Sequence, residues 1–535
     1  QIGIESDRTS SADYDADMIR AKSYGIDAFA LNMYVTPLGF AYESAAANGM
    51  KVFISYDFNW WNTGQGAQIG AHMAGYASRP AQLFINGAAF VSSFAGDGVD
   101  VAAMRAAAGI PIMFVPNFHP GQGNFNLIDG ALNWMAWPNN GNNKAPTPGA
   151  NVSVAAGDAS YQATLGGKPY LAPASAWFST HYGPEVSYSK NWVFPSNLLW
   201  CVYQRWNDLL ALGPPFVEIV TWNDYGESHY VGPLNSKHQD DGASKWVNDM
   251  WAWLDMAKPF IAAYKAGALS PNSFITQDQI IYWYRPTLST LDCDATDTTA
   301  NTPANNASGN YFEGRPNGWQ SMEDDVFVVT LLTSPGTLTV TSGGNTHTFN
   351  APTGAASFSI PMAVGQQSFA LARNGVNVLA ANSLKDISNV CPCGLYNFDA
   401  YTGSVPPSFV DPLGPDGLNS LVAGLHVTTC LPKPSLPTSV PPYTGPGGQP
   451  TTTTTSPPIL THDSQTTTTT PTGTTTSSPT STTTTPPTKT TTTSTTTGSC
   501  TITASEQIRP TNCLQPGCVW DGPSGQATPD KCDVN

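Results

Sequence analysis

Phe53-Ile-Ser-Tyr-Asp57-Phe-Asn-Trp-Trp61 is an apolar run that ends abruptly in a carboxylate, an amide and two indoles. A short run of this kind reads as a buried strand, and its polar end reads as the rim of a site. The pattern repeats on both sides. Apolar runs at Ile2 to Glu5, Ala28 to Tyr34, Val52 to Asp57, Phe84 to Phe94, Ile112 to Phe118, Leu132 to Trp137, Tyr170 to Phe178 and Val217 to Asn223 make eight candidate strands. Helix-like segments such as Asp13 to Tyr24 and Val99 to Ala108 separate them. This alternation over residues 1–276 predicts a (β/α)8 TIM-type barrel of the α/β class. A doubly wound open sheet also alternates, but no Gly-rich phosphate fingerprint follows the first strands.

From 277 to 436 the period switches to short alternating strands: Asp325 to Leu332, Gly336 to Ser342, His347 to Asn350, Ala356 to Ile360 and Gln367 to Arg373. These predict an all-β sandwich, an accessory domain that packs on the barrel or lengthens its groove. Residues 437–498 are dominated by Thr, Ser and Pro, cannot bury a core, and read as an O-glycosylated linker. The last segment, 499–535, carries Cys500, Cys513, Cys518 and Cys532 and needs disulfides to hold a fold. Its Trp520 suggests a small glucan-binding module.

Charged residues make up 11% of the chain and the formal net charge is -16, which disfavours nucleic acid or an anionic membrane as partner. A neutral polymer suits this charge better, and the chain is expected to act as a monomer. No apolar run is long enough to span a bilayer, and the opening at Gln1 is read as following the removal of any leader. Nine cysteines and the sequons at Asn151 and Asn306 fit a secreted, disulfide-bonded glycoprotein, with Cys201 the candidate for the odd thiol. A zinc site is the rival for the cysteines, but Cys391-Pro-Cys393 is too tightly spaced.

Barrel sites lie at the C-terminal strand ends, so the polar residues closing each run are the candidates. They are Asp57, Asn59, Trp60 and Trp61 after the third strand, Asp97 after the fourth, Asn117 and His119 after the fifth, and Trp177, His181 and Tyr182 after the seventh. Trp222-Asn-Asp-Tyr-Gly-Glu-Ser-His-Tyr230 closes the eighth and is the densest. Glycosidic cleavage needs one protonated and one ionised carboxyl, and a bend at Gly226 would point Asp224 and Glu227 into one cleft. The plainer reading makes Asp224 a helix cap and Glu227 a solvated side chain. Trp60, Trp61, Trp177, Tyr182, Trp222 and Tyr230 are candidate sugar platforms, each with a core role as its alternative. Asn59, Asp97, Asn117, His119, His181, Asn223 and His229 are candidate substrate contacts. No His-x-His or His-Glu-x-x-His spacing occurs, so neither a metal nor a cofactor is expected.

Five ordered motifs carry a resemblance: Asp27-Ala-Phe-Ala-Leu-Asn32, the Phe53 to Trp61 stretch, Ser93-Phe-Ala-Gly-Asp97-Gly, Val115-Pro-Asn-Phe-His119-Pro-Gly and the Trp222 to Tyr230 stretch. Together they resemble the signatures of glycoside hydrolase family 71, the fungal α-1,3-glucanases or mutanases. The resemblance implies endo-hydrolysis of α-1,3-glucan with inversion and no cofactor. It further implies that Asp57, Asp224 and Glu227 are the required carboxylates. Glu227 is taken as acid, Asp224 as base and Asp57 as positioning substrate, with the acid and base assignments interchangeable. Two alternatives stand beside it: a glucan-binding protein without catalysis, and a barrel glycosidase for another polysaccharide.

Overall fold

The computed structural model describes residues 1–4, 8–33, 38–139, 145–146, 153–181, 191–194, 198–233, 252–297 and 315–407. Outside them lie the expected linker and C-terminal module, the sequon asparagines Asn151 and Asn306, and Tyr182.

Each of the eight apolar runs contains a parallel strand, close to the expected start except in the run from Phe84, whose parallel strand begins at Ala88. Strands β1 (Ile2–Gly3), β2 (Ala28–Met33), β3 (Lys51–Asp57), β5 (Ala88–Phe94) and β6 (Ile112–Pro116) form one parallel sheet; β7 (Ala131–Leu132), β8 (Tyr170–Ala174) and β9 (Phe216–Ile219) form a second. Backbone bonds reach across both seams. On one side the Asp129 N–H donates to the Phe114 carbonyl at 2.9 Å. On the other, the α-amino group of Gln1 donates to the Ile219 carbonyl at 2.8 Å, and the Trp222 N–H to the Gln1 carbonyl at 2.7 Å. Asn223 imitates a strand residue there. Its Oδ1 accepts from the Gly3 N–H at 2.8 Å and its Nδ2 donates to the Gly3 carbonyl at 3.2 Å.

Helices α1 (Ala12–Ser23), α2 (Leu38–Asn48), α3 (Gly66–Ala77), α4 (Val101–Ala108), α5 (Val154–Leu165), α6 (Leu198–Leu212) and α7 (Ala252–Lys265) interleave with the strands. The alternation is less regular than expected at two places. No helix joins β6 to β7, where residues 117–130 run as turns. The run Phe84 to Phe94 splits into a short β4 (Phe84–Ile85) and β5, joined antiparallel through Asn86 and Gly87 at φ 50° and 80°. An Asn-Gly pair adopts this left-handed hairpin turn with little strain.

Two antiparallel sheets follow. Their orders are β14-β11-β10-β17 and β13-β12-β15-β16, from β10 (Gln279–Tyr284), β11 (Asp325–Leu332), β12 (Gly336–Ser342), β13 (Asn345–Ala351), β14 (Gly354–Pro361), β15 (Gln367–Arg373), β16 (Val376–Asn382) and β17 (Tyr401–Val405). Tyr282 of the first sheet stacks on Phe369 of the second with ring centroids 3.9 Å apart, so the sheets face each other. The other face of β10 meets the α/β region, where Trp283 packs on Trp253 of α7 and Trp253 on Trp177. One buried core therefore runs from the parallel strands into the antiparallel ones. Cys293 and Cys391 form a disulfide, so Cys391 is not a zinc ligand.

Candidate active site

The chain leaving β9 doubles back on itself. The Thr221 N–H donates to the His229 carbonyl at 2.8 Å, Val231 N–H to the Thr221 carbonyl at 3.1 Å, and Gly232 N–H to the Trp222 carbonyl at 2.8 Å. A Cβ on Gly232 would lie 2.5 Å from that last carbonyl, so only glycine lets the two strands of the loop close. The tip is a tight turn over residues 225–228, whose left-handed residue is Ser228 (φ 59°) rather than the expected Gly226.

This loop brings Asp224, Glu227 and His229 together. Asp224 Oδ1 accepts the Glu227 N–H at 3.2 Å, a contact within the turn rather than the helix cap of the plainer reading, since residues 225–233 form no helix, while its Oδ2 lies 3.4 Å from His229 Nε2. The same nitrogen lies 2.9 Å from Glu227 Oε2. One oxygen from each acid and the ring nitrogen are all within 4.8 Å of one another. Glu227 and His229 are buried, and Asp224 is partly open to solvent. Burial alone would lower the pKa of His229; the charges and hydrogen bonds of Asp224 and Glu227 outweigh it and push the pKa up to about 9. Two carboxylates and one imidazole have the count of a three-ligand metal site. Both acids face the same Nε2, which bonds an ionised carboxylate by donating a proton to it.

Asp57 closes β3 at the same, C-terminal, end of the parallel strands. Its Oδ1 accepts the Asn59 N–H at 2.8 Å, and its carbonyl takes the N–H groups of Trp60 and Trp61 at 3.0 Å each, which turns the chain sharply away. Asn59 and Trp60 are exposed, and Trp60 is 43% open. Trp61 is half-buried, edge-on to Tyr56 at 5.4 Å. Asp97 and His119 meet across two strand ends: Asp97 Oδ2 is 2.6 Å from His119 Nδ1, and its Oδ1 accepts the His119 N–H at 2.8 Å. Both remain partly exposed.

Several expected contacts lie inside the packing instead. Trp177 is 2% exposed, its indole N–H donating to the Phe398 carbonyl at 3.0 Å. Trp222, also 2% exposed, donates to Asp17 Oδ1 at 2.8 Å, and fully buried Tyr230 donates to Asp399 Oδ2 at 3.3 Å. These rings are framework, not sugar platforms, because their faces are already covered. Buried His181 bonds Asn191 Oδ1 and Asp297 Oδ2 at 2.6 Å each, tying the segment after β8 to residues beyond β10. Asn117 donates to the Leu132 carbonyl at 3.1 Å across the β6–β7 seam, and Asn223 closes the opposite seam. Neither amide reaches solvent.

Sequence reading missed the rings that enclose His229. Phe178 lies parallel to the imidazole at 5.8 Å, Trp137 meets it at 5.1 Å and Trp134 at 6.4 Å. Trp134 and Trp137 were visible only as part of a strand candidate. Both in fact follow the end of β7.

Known proteins resemble the chain over most of its length. The family model described as "Glycosyl hydrolase family 71" matches residues 1–413. A mutanase of Penicillium rubens is 40% identical over 432 residues, covering 78% of this chain and 89% of that relative. The glucan endo-1,3-alpha-glucosidase agn1 of Schizosaccharomyces pombe is 36% identical over 424 residues, 73% of this chain and 90% of its own length. The ascus wall endo-1,3-alpha-glucanase of the same yeast is 27% identical over 435 residues, 74% and 93% of the two chains.

Proposed function

The chain belongs to glycosyl hydrolase family 71, and on that premise we propose that it cleaves α-1,3-glucosidic linkages inside α-1,3-glucan chains. The observation that carries the reading is a buried glutamate beside a half-open aspartate at the C-terminal ends of the strands, with the exposed Trp60 on a neighbouring rim. We read the two parallel sheets as one (β/α)8 barrel, supported by the hydrogen bonds at both seams. Secretion and action as a monomer belong to the same proposal. The disulfide Cys293–Cys391 supports the first, and among the described residues no helix is long and apolar enough to cross a membrane.

In the mechanism, Glu227 is the general acid. An inverting enzyme separates its two working carboxyls by about 6.5–9.5 Å to admit a water. Asp224 and Glu227, with oxygens inside 4.8 Å, are closer than that, which argues against Asp224 as the base. Asp57 closes β3 at the same end of the parallel strands, on a different strand from the loop, in the order β9, β1, β2, β3. We assign it as the base for the attacking water, with Asp224 sharing the acid's charge. Trp60 offers its face to a pyranose, and the Asp97–His119 pair offers polar contacts to its hydroxyls.

The test is reducing-sugar release from insoluble α-1,3-glucan, with NMR of the first product anomer. Expected is release that Glu227→Gln abolishes, and a product of inverted configuration. Binding without release would return the chain to the glucan-binding alternative. Cleavage of α-1,4-glucan, dextran or chitin with α-1,3-glucan left intact would reassign the substrate.

A further inference from the structure

The imidazole of His229 lies wholly out of solvent, so the substrate contact expected from its place in the motif is ruled out and its chemistry acts through the two acids. Nε2 faces Glu227 Oε2 at 2.9 Å and Asp224 Oδ2 at 3.4 Å. Rings from two other strand ends hold it. Phe178 lies at 9° to the imidazole, Trp137 at 63° and Trp134 at 85°. Those rings bring no titratable group; the charged groups facing His229 are Asp224 and Glu227. Among the described residues Nδ1 has no hydrogen-bond partner, so the ring's polar tether is its Nε2 side.

Two carboxylates this close repel in a site shielded from water unless a cation or a shared proton lies between them. An imidazolium supplies that charge, and aromatic faces within about 6 Å of a cation stabilise it. A neutral ring beside a protonated Glu227 is the same assembly with one proton passed from Nε2 to Oε2 across their 2.9 Å contact. Resting on the glucanase reading above, we propose that His229 is a positioning residue that locks Asp224 and Glu227 into one dyad and stores on Nε2 the proton that Glu227 delivers to the glycosidic oxygen.

The cycle balances. At rest the ring is an imidazolium and both acids are ionised. When substrate displaces water, the Nε2 proton moves to Glu227 Oε2 and the ring becomes neutral. Glu227 then protonates the glycosidic oxygen as the bond to the anomeric carbon breaks; the water oxygen bonds that carbon and its proton passes to Asp57. Once products leave, Asp57 returns its proton to solvent and solvent reprotonates His229.

Two measurements on the full chain test this. In the first, His229→Gln and His229→Asn are compared with the unaltered chain across pH. Expected is a kcat lowered by about 100-fold or more with KM nearly unchanged, and an alkaline limb of the kcat profile moved down by more than one pH unit. A variant that keeps both kcat and the alkaline limb overturns the proposal, as does a change confined to KM. Because a core substitution can unfold the chain, the second measurement uses no variant. Nitrogen NMR of histidine-labelled protein near pH 8, above the ordinary histidine range of about 6.5, should show the imidazole that lies against the rings of Phe178, Trp134 and Trp137 protonated on both nitrogens. Finding that imidazole neutral there overturns it. An unaltered chain that cuts no α-1,3-glucan refutes the glucanase reading separately, and the NMR result then decides alone whether His229 is the buried cation.

Discussion

Glu227 and Asp224 differ in exposure although they share one nitrogen: the glutamate side chain is 9% exposed and the aspartate 30%. The buried one has the drier setting in which a proton transfer to a leaving oxygen is most effective. Glu227→Gln is expected to lower kcat by about 10²–10⁴-fold, the usual worth of a general acid. Asp224→Asn, which removes only a supporting charge, should cost less, in the same reducing-sugar assay. His229 adds a pH dependence whose sign is fixed. Its folded pKa of about 9 stands above the ordinary value of about 6.5. Its charge therefore stabilises the fold in full below about pH 6.5, and that contribution is lost as pH rises through about 9. Urea midpoints of the unaltered chain should fall over this window, and those of His229→Gln should fall less. At this scale the three acids were legible because each closes an apolar run. The burial of Trp177, Trp222 and Tyr230 was not, since an aromatic ring at a strand end can turn inward or outward. What turned them inward was Phe398, Asp17 and Asp399, all distant in sequence.

The elements carry their own constraint where α3 crosses α4. A Cβ on Gly70 would sit 2.0 Å from the Met104 carbonyl oxygen, a backbone atom that cannot swing aside. Gly70→Ala should therefore destabilise the chain by roughly 1–3 kcal/mol through forced separation of the two helices. Gly75 on the same helix has nothing within 4 Å of its virtual Cβ. Gly75→Ala should leave stability unchanged or raise it by up to about 1 kcal/mol, since alanine loses less backbone freedom in a helix. Chemical denaturation of the pair separates a packing role from a propensity effect. Element positions were readable because β3, β5 and β8 are buried on both faces and so appear as continuous apolar runs. The Asn86-Gly87 turn was equally readable and was passed over inside a longer run. Strands β10, β16 and β17 were missed for physical reasons. Gln279–Tyr284 is covered on both faces and so does not alternate, and Val376–Asn382 is largely exposed. Tyr401–Val405 becomes a strand only by pairing with β10.

At the scale of the molecule, Asp255 on α7 joins parts of the chain that composition had set in separate domains. One of its oxygens accepts from Tyr24 Oη at 2.6 Å; the other accepts from Ser404 Oγ at 2.6 Å and Gln279 Nε2 at 3.1 Å. Those donors come from the end of α1, from β17 and from β10, and Asp255 is 2% exposed. With the Trp177–Trp253–Trp283 column beside it, the α/β region and the antiparallel sheets share one interior across the expected boundary at 276/277. Units that share an interior lose each other's buried surface when either opens, so they are expected to unfold together. Thermal unfolding followed by far-UV circular dichroism and by tryptophan fluorescence should give one coincident transition for these regions. Asp255→Ala removes the acceptor that three buried groups share and should lower that single transition by roughly 3 kcal/mol without splitting it. Two transitions, or a variant that melts the antiparallel sheets alone, would make them an independent domain docked on a self-sufficient barrel. The strand-end acids would then owe nothing to β10 and β17. If one transition is seen, the segment after β8 that carries Phe178 to the His229 ring is held in place partly by the antiparallel sheets, through Trp177 and Phe398. Damage to the sheets should then reach the acids before it reaches the rest of the parallel strands.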